Sequence, residues 1–430
     1  MSANAREFDI ILFGATGFVG RLTARHLTAE APEGVRIALA GRSQARLDAL
    51  ARDLGSQAEG WPLLVVDATD ADAVADLARR ARVVATTVGP YVKYGAPLAA
   101  ACAEAGTHYC DLTGEVLFVH RSIAANHETA KRTGARIVHA CGFDSIPSDL
   151  GVLLTAQAAQ ADGAELGRTH LAVRSLKGGF SGGTIDSARV QLDEHQADPA
   201  SRRIVCDPWA LVDGPRPARK AKDENGTGAT ASGSAGPATV LAKLAKASPV
   251  KRDADNGHFT GPFVMAAFNR RIVARSASLL GYGDGFRYVE YSDYGGGPTG
   301  AFVASMTSLA LGAGLAGMSF GPTRALIDAV LPKPGEGPSE KAQAAGRFRM
   351  EVTGEATNGA RYRTTVAAPY DPGYSGTAVM LGQAALSLLE DGDRLPDAAG
   401  VLTPATAIGM PLVERLREHA FTLETVRLPS

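Results

Sequence analysis

The amino-acid sequence predicts an α/β fold: a doubly wound parallel sheet followed by a second α+β domain with a mixed or antiparallel sheet. From residue 8 to about residue 142, short apolar runs alternate with stretches of helical periodicity, which is the pattern of a parallel sheet covered by helices. Later, the alternating stretches 348–355 and 362–367 predict antiparallel strands joined across Asn358-Gly359. A chain of 430 residues is also too long for one core and fits two domains, or one domain with a large insertion.

The first strand and the turn that follows it are the most informative segment. Residues 8–13 are apolar apart from Asp9, and three glycines come next at the spacing G-x-x-G-x-x-G. These glycines allow a tight turn and a close approach to a pyrophosphate, while the next helix presents free N–H groups to the phosphates. The segment therefore predicts a dinucleotide site of the Rossmann type. The residues expected to contact the cofactor are Gly14, Ala15, Thr16, Gly17, Phe18, Val19 and Gly20.

The end of the second strand, predicted over residues 35–39, distinguishes between two cofactors. An NAD enzyme usually has an Asp or Glu here to bind the ribose 2′-hydroxyl. This chain has Arg42 and Ser43 instead, which suit a 2′-phosphate that a carboxylate would repel. The sequence therefore favours NADP over NAD, with Arg42 and Ser43 as cofactor contacts. The alternative is that Arg42 is a solvated residue at the start of a helix.

The elements after residue 43 continue the alternation. The sequence predicts helices over residues 44–54, 71–80, 97–105 and 119–133, and strands over residues 63–66, 83–87, 109–112 and 136–140, six strands with the first two. A ligand of such a sheet lies across the carboxyl ends of the strands. The loops there supply the other expected cofactor contacts, Asp67, Ala68, Val88, Gly89 and Pro90, and the segment 141–149 follows the sixth strand. Turn or helix-cap roles are the alternative for each of these side chains.

Beyond residue 148 the predicted elements become more varied. The sequence predicts a helix from about residue 148, strands at 170–174, 263–268 and 286–291, a glycine-rich turn at 178–184, and helices at 185–195, 376–390 and 410–419. Residues 213–238 have almost nothing apolar to bury and are expected to form a mobile insertion. The resulting division is a dinucleotide-binding domain over residues 1–147, a substrate domain over 148–370, and a C-terminal part over 371–430.

Composition excludes several function classes. The chain has 44 basic and 45 acidic residues, so it has no field that would attract nucleic acid. The four cysteines lie far apart without a C-x-x-C pair, so we expect buried thiols of a cytoplasmic protein and no metal site. Residues 299–322 carry no charge and are long enough to span a bilayer, but Gly, Ala, Ser and Thr dilute them. A buried or pocket-lining helix, a surface that contacts lipid or an apolar partner, and a true span are the alternatives.

Several motifs together resemble the saccharopine dehydrogenase-like oxidoreductases, and more narrowly the trans-acting enoyl reductase group of actinobacteria. The motifs are the glycine turn, Ala40-Gly41-Arg42-Ser43, Gly89-Pro90-Tyr91, the segment 141–149 and Gly376-Thr377-Ala378. The resemblance covers nearly the whole chain. It implies an NADP-dependent reductase whose C-terminal helices return to the Rossmann domain. It also implies an α,β-unsaturated acyl substrate, small or carrier-bound, made by a polyketide synthase partner, and it favours a homodimer.

Enoyl reduction needs a hydride for the β-carbon, a hydrogen-bond donor for the enolate oxygen and a proton for the α-carbon. Tyr91, Lys93 and Tyr94 are the candidate catalytic residues, on a loop expected to face the nicotinamide. Packing and solvated roles are the alternative for all three. A saccharopine-type amino acid dehydrogenase would use basic residues such as those at 270, 271 and 275 to bind carboxylates. A third alternative is a non-catalytic, nucleotide-bound scaffold at a lipid surface or a synthase.

Overall fold

The structure is a computed structural model that describes residues 6–178, 198–213, 250–253, 256–318 and 337–429, together with residues 187, 189, 190, 193 and 194. The strands in chain order are β1 (Phe8–Phe13), β2 (Ile37–Gly41), β3 (Leu63–Val65), β4 (Ala81–Thr86), β5 (His108–Asp111), β6 (Arg136–Val138), β7 (Leu166–Lys177), β8 (Lys251–Arg252), β9 (Phe259–Gly261), β10 (Arg287–Asp293), β11 (Arg347–Ala356), β12 (Arg361–Ala368), β13 (Gly400–Leu402) and β14 (Thr422–Arg427).

The helices in chain order are α1 (Phe18–Glu30), α2 (Gln44–Leu54), α3 (Ala71–Arg80), α4 (Tyr91–Ala105), α5 (Val116–Thr133), α6 (Ile146–Ala161), α7 (Pro199–Cys206), α8 (Ala266–Leu280), α9 (Gly297–Met318), α10 (Glu340–Ala344), α11 (Thr377–Glu390), α12 (Pro404–Ala407) and α13 (Met410–Glu418). The predicted turn at 179–184, most of the predicted helix at 185–195, and the predicted insertion beyond Asp213 lie outside the described residues.

The first sheet confirms the predicted doubly wound architecture. Its strand order is β13-β6-β5-β4-β1-β2-β3, and every pair in it is parallel. The direction of winding reverses beside β1, so a crevice opens at the carboxyl ends of β1 and β4. Helices α2 and α3 have the predicted bounds. The seventh strand, β13, was not predicted, because three residues are too few to show a periodicity.

Helix α4 corrects one expectation. The sequence predicts a helix from Pro97 and leaves the preceding residues in a loop. The structure begins the helix at Tyr91 and keeps Pro97 inside it. The earlier start is stabilised because the buried Glu115 carboxylate accepts the N–H groups of Tyr91 and Val92, at 2.9 and 2.7 Å.

The second sheet is mixed, as predicted. Its order is β14-β12-β11-β7-β10-β9-β8; β10 and β7 are parallel and the other pairs are antiparallel. The predicted hairpin forms with Phe348 opposite Ala368. Helix α6 covers one face, where a Cβ on Gly151 would lie 2.9 Å from a methyl group of Val352. Close packing at this glycine joins α6 to the sheet.

Residues 263–268 were predicted to be a strand, which is wrong. They form the loop after β9 and the first turn of α8. The same apolar run is also typical of the start of a buried helix, because Phe268, Ile272 and Val273 lie at helical spacing and are buried. Cys206 also differs from expectation, since it is exposed while the other three cysteines are buried.

The C-terminal part contributes to both sheets. Helix α11 packs against α1 and β4 of the first sheet. The chain then adds β13 beside β6 and, after α13, adds β14 beside β12 of the second sheet. Strands β13 and β14 differ from the prediction, which expected only helices in residues 371–430.

Helix α9 occupies most of the uncharged segment 299–322, and it is largely exposed. Phe302, Met306 and Leu309 are 67%, 49% and 54% exposed, while Ala304 is buried. The expectation of a buried helix is therefore wrong for this part of the segment. Within the described part of the chain, no helix has the length and hydropathy needed to cross a membrane.

Candidate functional site

A large cavity of about 1370 Å³ runs along the carboxyl ends of the first sheet. The turns after β1, β2, β3 and β4 line one side of it, and the segments after β5 and β6 line its far end. Residues 263–265 and 372–374 close it from the second sheet and from the segment before α11. The cavity therefore joins the predicted cofactor residues to residues from later parts of the chain.

The glycine turn at the start of the cavity fits a dinucleotide. Gly14 has φ +86°, a conformation that favours glycine, and a Cβ on Gly20 would lie 2.2 Å from the Gly14 carbonyl oxygen. Gly17 precedes α1 without any side-chain cap. The N–H groups of the first turn of α1 are therefore free to bind phosphate oxygens.

The other end of this half of the cavity is basic. Arg42 and Arg46 both line the cavity, the first after β2 and the second in the first turn of α2. Ser43 does not line it; its hydroxyl accepts the N–H of Arg46 at 3.4 Å and caps α2. Arg46 was not predicted, because the sequence alone does not show that the first turn of α2 lies beside the loop that holds Arg42. Two guanidinium groups suit a 2′-phosphate better than one.

Asp67 lies at the same end, after β3. Its carboxylate accepts the backbone N–H and the hydroxyl of Thr69, at 2.9 and 2.8 Å. These two hydrogen bonds, with the nearby charge of Arg42, lower the pKa of Asp67. Asp67 therefore stabilises a turn and also lies near Arg42. Its two expected roles, a turn residue and a cofactor contact, are compatible.

Most of the predicted cofactor residues line the cavity, and the others do not. The predicted residues that line the cavity are Gly14, Thr16, Gly17, Phe18, Val19, Arg42, Asp67, Ala68, Val88, Gly89 and Pro90. Ala15 and Gly20 are buried beneath the turn, where they shape the backbone.

The three predicted catalytic residues occupy different environments. Tyr91 is 5% exposed, and its hydroxyl donates to the Thr86 carbonyl and accepts the N–H of Leu112, both at 3.1 Å. Burial, with the negative charge of Asp111, raises the pKa of Tyr91 well above its usual value. Its proton is engaged in joining β4 to the segment after β5, which argues against a role as donor to a substrate.

Lys93 and Tyr94 follow in the first turn of α4. Lys93 is exposed and does not line the cavity. Tyr94 lines it, is half-buried, and has no hydrogen-bond partner for its hydroxyl among the described residues. Of the three candidates, Tyr94 has the geometry of a donor to a bound molecule.

Asp144 is a further cavity residue, in the segment that follows β6. The Phe143 N–H donates to the Thr377 hydroxyl at 3.1 Å, which fixes this segment to the start of α11. Asp144 lines the cavity and accepts no hydrogen bond from any residue that the structure describes. Burial raises the pKa of its carboxyl to about 6. The sequence points to the segment 141–149, but it does not distinguish Asp144 from Asp149, which differ only in their surroundings in the fold.

The basic residues of α8 have structural partners. Arg271 donates to the carbonyls of Asp207, Ala267 and Val205. Arg275 is 1% exposed and donates to the Leu211 and Val401 carbonyls and to Asp213. Each guanidinium therefore holds the segment after α7 in place. Arg271 also lines the cavity, but its guanidinium group already donates to these three carbonyls, whereas Arg275 does not line the cavity. The two arginines therefore do not form the basic cluster that a substrate with several carboxylates would need.

A second polar cluster has the residue types of a hydrolase triad. His139 lies 2.7 Å from the Asp111 carboxylate and 2.9 Å from the Ser122 hydroxyl. All three are buried, and Asp111 also accepts the Tyr109 hydroxyl at 2.9 Å. Since no substrate reaches it, the cluster joins β5, the segment after β6 and α5. No group of metal ligands is present in the described parts of the chain.

Comparisons with known proteins agree with this geometry. The family described as saccharopine dehydrogenase NADP binding domain matches residues 10–138. A protein of Mycobacterium tuberculosis, provisionally named a trans-acting enoyl reductase, is 46% identical, with all of both chains covered. A trans-acting enoyl reductase of Mycobacterium ulcerans is 43% identical over the full length of both.

Among solved structures, saccharopine dehydrogenase (L-Glu forming) of Saccharomyces cerevisiae is similar with a TM-score of 0.54. The likeness covers 98% of this chain and 100% of that one, at 12% identity. It shows a shared fold.

Proposed function

Because this chain belongs to the family of the trans-acting enoyl reductases, within the saccharopine dehydrogenase-like oxidoreductases, we propose that it reduces the double bond of an enoyl thioester. The resemblance seen in its sequence motifs is thereby confirmed, and the cofactor is NADP. One observation supports the reaction above all others. The cavity that begins at the glycine turn continues to a half-buried tyrosine hydroxyl, a carboxyl group and apolar side chains.

In the proposed reaction, each group of residues in the cofactor half of the cavity has one task. The turn from Gly14 to Gly17 and the first turn of α1 would hold the pyrophosphate. Arg42 and Arg46 would hold the 2′-phosphate, beside Asp67. Bound NADPH supplies the hydride for the β-carbon of the substrate.

The far half of the cavity suits an acyl chain. Phe263 and Met265 are buried apolar residues in its wall, and Val264 and Leu176 are 41% and 39% exposed at the same cavity. Apolar walls exclude water from the reacting atoms and contact hydrocarbon. Tyr94 would donate a hydrogen bond to the thioester oxygen, where negative charge develops during reduction.

We further propose that the acyl chain arrives on a carrier of a polyketide synthase and that α9 forms the docking surface. Ser308 of α9 packs on Gly261, where a Cβ would lie 3.1 Å from its hydroxyl oxygen. Val264, at the cavity, is only three residues further along the chain, so the glycine that contacts α9 lies within roughly 11 Å of a cavity residue. The exposed Phe302, Met306 and Leu309 lie at i, i+4 and i+7, on one face of the helix.

The remaining details of the proposal follow the family resemblance. The protein would act in the cytoplasm as a homodimer, and the exposed face of α9 would be the place for any peripheral contact with lipid. A saccharopine-type activity is not favoured, since Arg271 and Arg275 are already bonded to carbonyl groups.

Turnover tests the proposal. Purified protein with NADPH should show loss of the nicotinamide absorbance when a trans-2-enoyl thioester is added, and mass spectrometry should show the saturated acyl product. NADH should support a lower rate. If the protein binds NADPH but does not oxidise it when any enoyl thioester is added, whether on coenzyme A or on an acyl carrier, the result supports the scaffold alternative.

A further inference from the structure

We propose that Asp144 is the acid that delivers the proton to the α-carbon of the substrate, a role that rests on the proposed enoyl reduction. The cavity wall contains three carboxylates among the described residues. Asp53 is paired with Arg25 at 2.6 Å, and Asp67 accepts two hydrogen bonds from Thr69. Both lie at the end of the cavity assigned to the adenosine. Asp144 is the carboxylate of the other end.

Other hydroxyl groups near that end are engaged. Tyr91 donates to the Thr86 carbonyl, Ser187 donates to Glu115 at 2.6 Å, and Thr377 donates to the Pro372 carbonyl at 2.8 Å. Their protons hold the protein together and are not available to a substrate. Since Tyr94 is assigned to the enolate oxygen, Asp144 is an acid in the described cavity wall, without a hydrogen bond there, that can supply the proton of the α-carbon.

The placement of Asp144 is firm although its carboxyl group is unbonded. The segment is held by the hydrogen bond from Phe143 to Thr377. Gly114 lies opposite, where a Cβ would be 3.6 Å from an Asp144 carboxylate oxygen and 3.3 Å from the Met265 methyl group. The carboxyl group thus lies between a bare backbone and an apolar side chain. A group held this way meets a bound molecule without first breaking a bond to the protein.

The proposed step balances. The hydride adds to the β-carbon, and the electron pair of the C=C bond moves toward the carbonyl to give an enolate. The O–H bond of Asp144 then breaks, its electron pair stays on the carboxylate, and the proton forms a C–H bond with the α-carbon while the thioester carbonyl is restored. Water reprotonates the carboxylate. Because the pKa of Asp144 is raised to about 6, about one tenth of it is protonated at pH 7, far more than at the ordinary pKa of 3.8.

Turnover in D₂O tests this role through the product. The wild-type protein should place one deuterium on a single face of the α-carbon. Asp144→Asn should lower kcat by about 10²- to 10⁴-fold, bind NADPH within about twofold of wild type, and give α-deuterium on both faces because water replaces the acid. Asp144→Ala should regain rate with added formate.

Asp149→Asn is the matched control. Asp149 lies five residues away and its pKa is also raised to about 6 by burial, but it accepts hydrogen bonds from Ser276 and from the N–H of Ala405. This variant should be less stable and should keep deuteration on one face. If Asp144→Asn turns over at the wild-type rate with deuterium on one face, the proposed role is wrong. If the wild-type protein reduces no enoyl thioester, the proposed function fails before Asp144 is in question.

Discussion

A carboxylate oxygen of Glu115 lies 2.9 Å from the backbone nitrogen of Tyr91. Through this contact and a second one to Val92 at 2.7 Å, a side chain from the segment after β5 caps the helix that follows β4. Burial raises the pKa of Glu115, while the hydroxyl of Ser187 and the two N–H groups act in the opposite direction. The contact fixes the direction of the first turn of α4, and with it the position of Tyr94 at the cavity.

The Glu115 cap should contribute measurably to stability. Glu115→Ala removes the acceptor of two helix N–H groups and should lower the free energy of unfolding by about 1–3 kcal/mol. Glu115→Gln keeps one acceptor oxygen and should cost less. Urea unfolding of the three proteins measures both differences. Equal stability of Glu115→Ala and wild type would contradict the capping role.

Tyr94 and Tyr91 should separate catalysis from structure. Tyr94→Phe should lower kcat about 10- to 1000-fold with little change in stability, because its hydroxyl is unbonded within the described chain and would act only on the substrate. Tyr91→Phe should instead destabilise the protein, because it removes two buried hydrogen bonds. Steady-state kinetics and thermal unfolding of each variant make the comparison. A normal kcat for Tyr94→Phe would remove it from the mechanism.

The basic pair should set the preference between the two cofactors. Arg42→Ala and Arg46→Ala should each weaken NADPH binding by about 10- to 100-fold and leave NADH binding nearly unchanged, because only NADPH carries the 2′-phosphate. Arg52→Ala, in the last turn of the same helix and outside the cavity, is the control. Fluorescence titration with both nucleotides gives the affinities. An equal loss for NADH would show that the arginines act on the fold.

Asp144 should also make stability depend on pH. Its folded-state pKa of about 6 lies above the ordinary value of 3.8, so the folded protein favours the neutral carboxyl group. The destabilisation is therefore absent below about pH 4, develops as the pH rises to 6 and persists above it. Asp144→Asn should be more stable than wild type at pH 8 by up to about 3 kcal/mol, and equally stable at pH 4. Urea unfolding of the cofactor-free proteins tests this. A difference that does not change with pH would contradict it.

The exposed face of α9 should affect the KM only of substrates that arrive on an acyl carrier. Changing Phe302 and Met306 together to Ser should raise KM for an enoyl chain on its acyl carrier about tenfold or more and leave the KM for a short coenzyme A thioester unchanged. Leu279→Ser, which alters an apolar residue of α8 that is 45% exposed, is the control. Sedimentation with anionic vesicles distinguishes the alternative, since loss of vesicle binding with unchanged carrier kinetics would assign the face to lipid.

The sequence predicted the elements whose pattern lies within one continuous stretch of the chain, and it missed those that depend on a distant segment. Periodicity over ten or more residues placed α2 and α3 correctly, and the glycine spacing identified the turn around Gly14. The start of α4 was missed because its cap, Glu115, comes from a later segment. Strand β13 was missed because three residues become a strand only when β6 is beside them.

The same reasoning applies to the site. Arg42 was identified because it stands where an acidic residue is usual, whereas Asp144 could be separated from Asp149 only by their surroundings. Asp144 lines the cavity without a hydrogen bond from a described residue, whereas Asp149 accepts a hydrogen bond from Ser276. Tyr91 and Tyr94 are equally plausible in sequence, and only the hydrogen bonds of the folded chain distinguish them.

The late arrival of β13 and β14 has a consequence for synthesis on the ribosome. Strand β6 is made near residue 138, but its neighbour is not made until residue 402, and β12 waits in the same way for β14. At roughly 5–20 residues per second, the open edge of β6 is exposed for tens of seconds. Unpaired strand edges are templates for aggregation. A nascent chain of this protein should therefore depend on chaperones, and a premature stop before residue 400 should yield an insoluble product rather than a working dinucleotide-binding half.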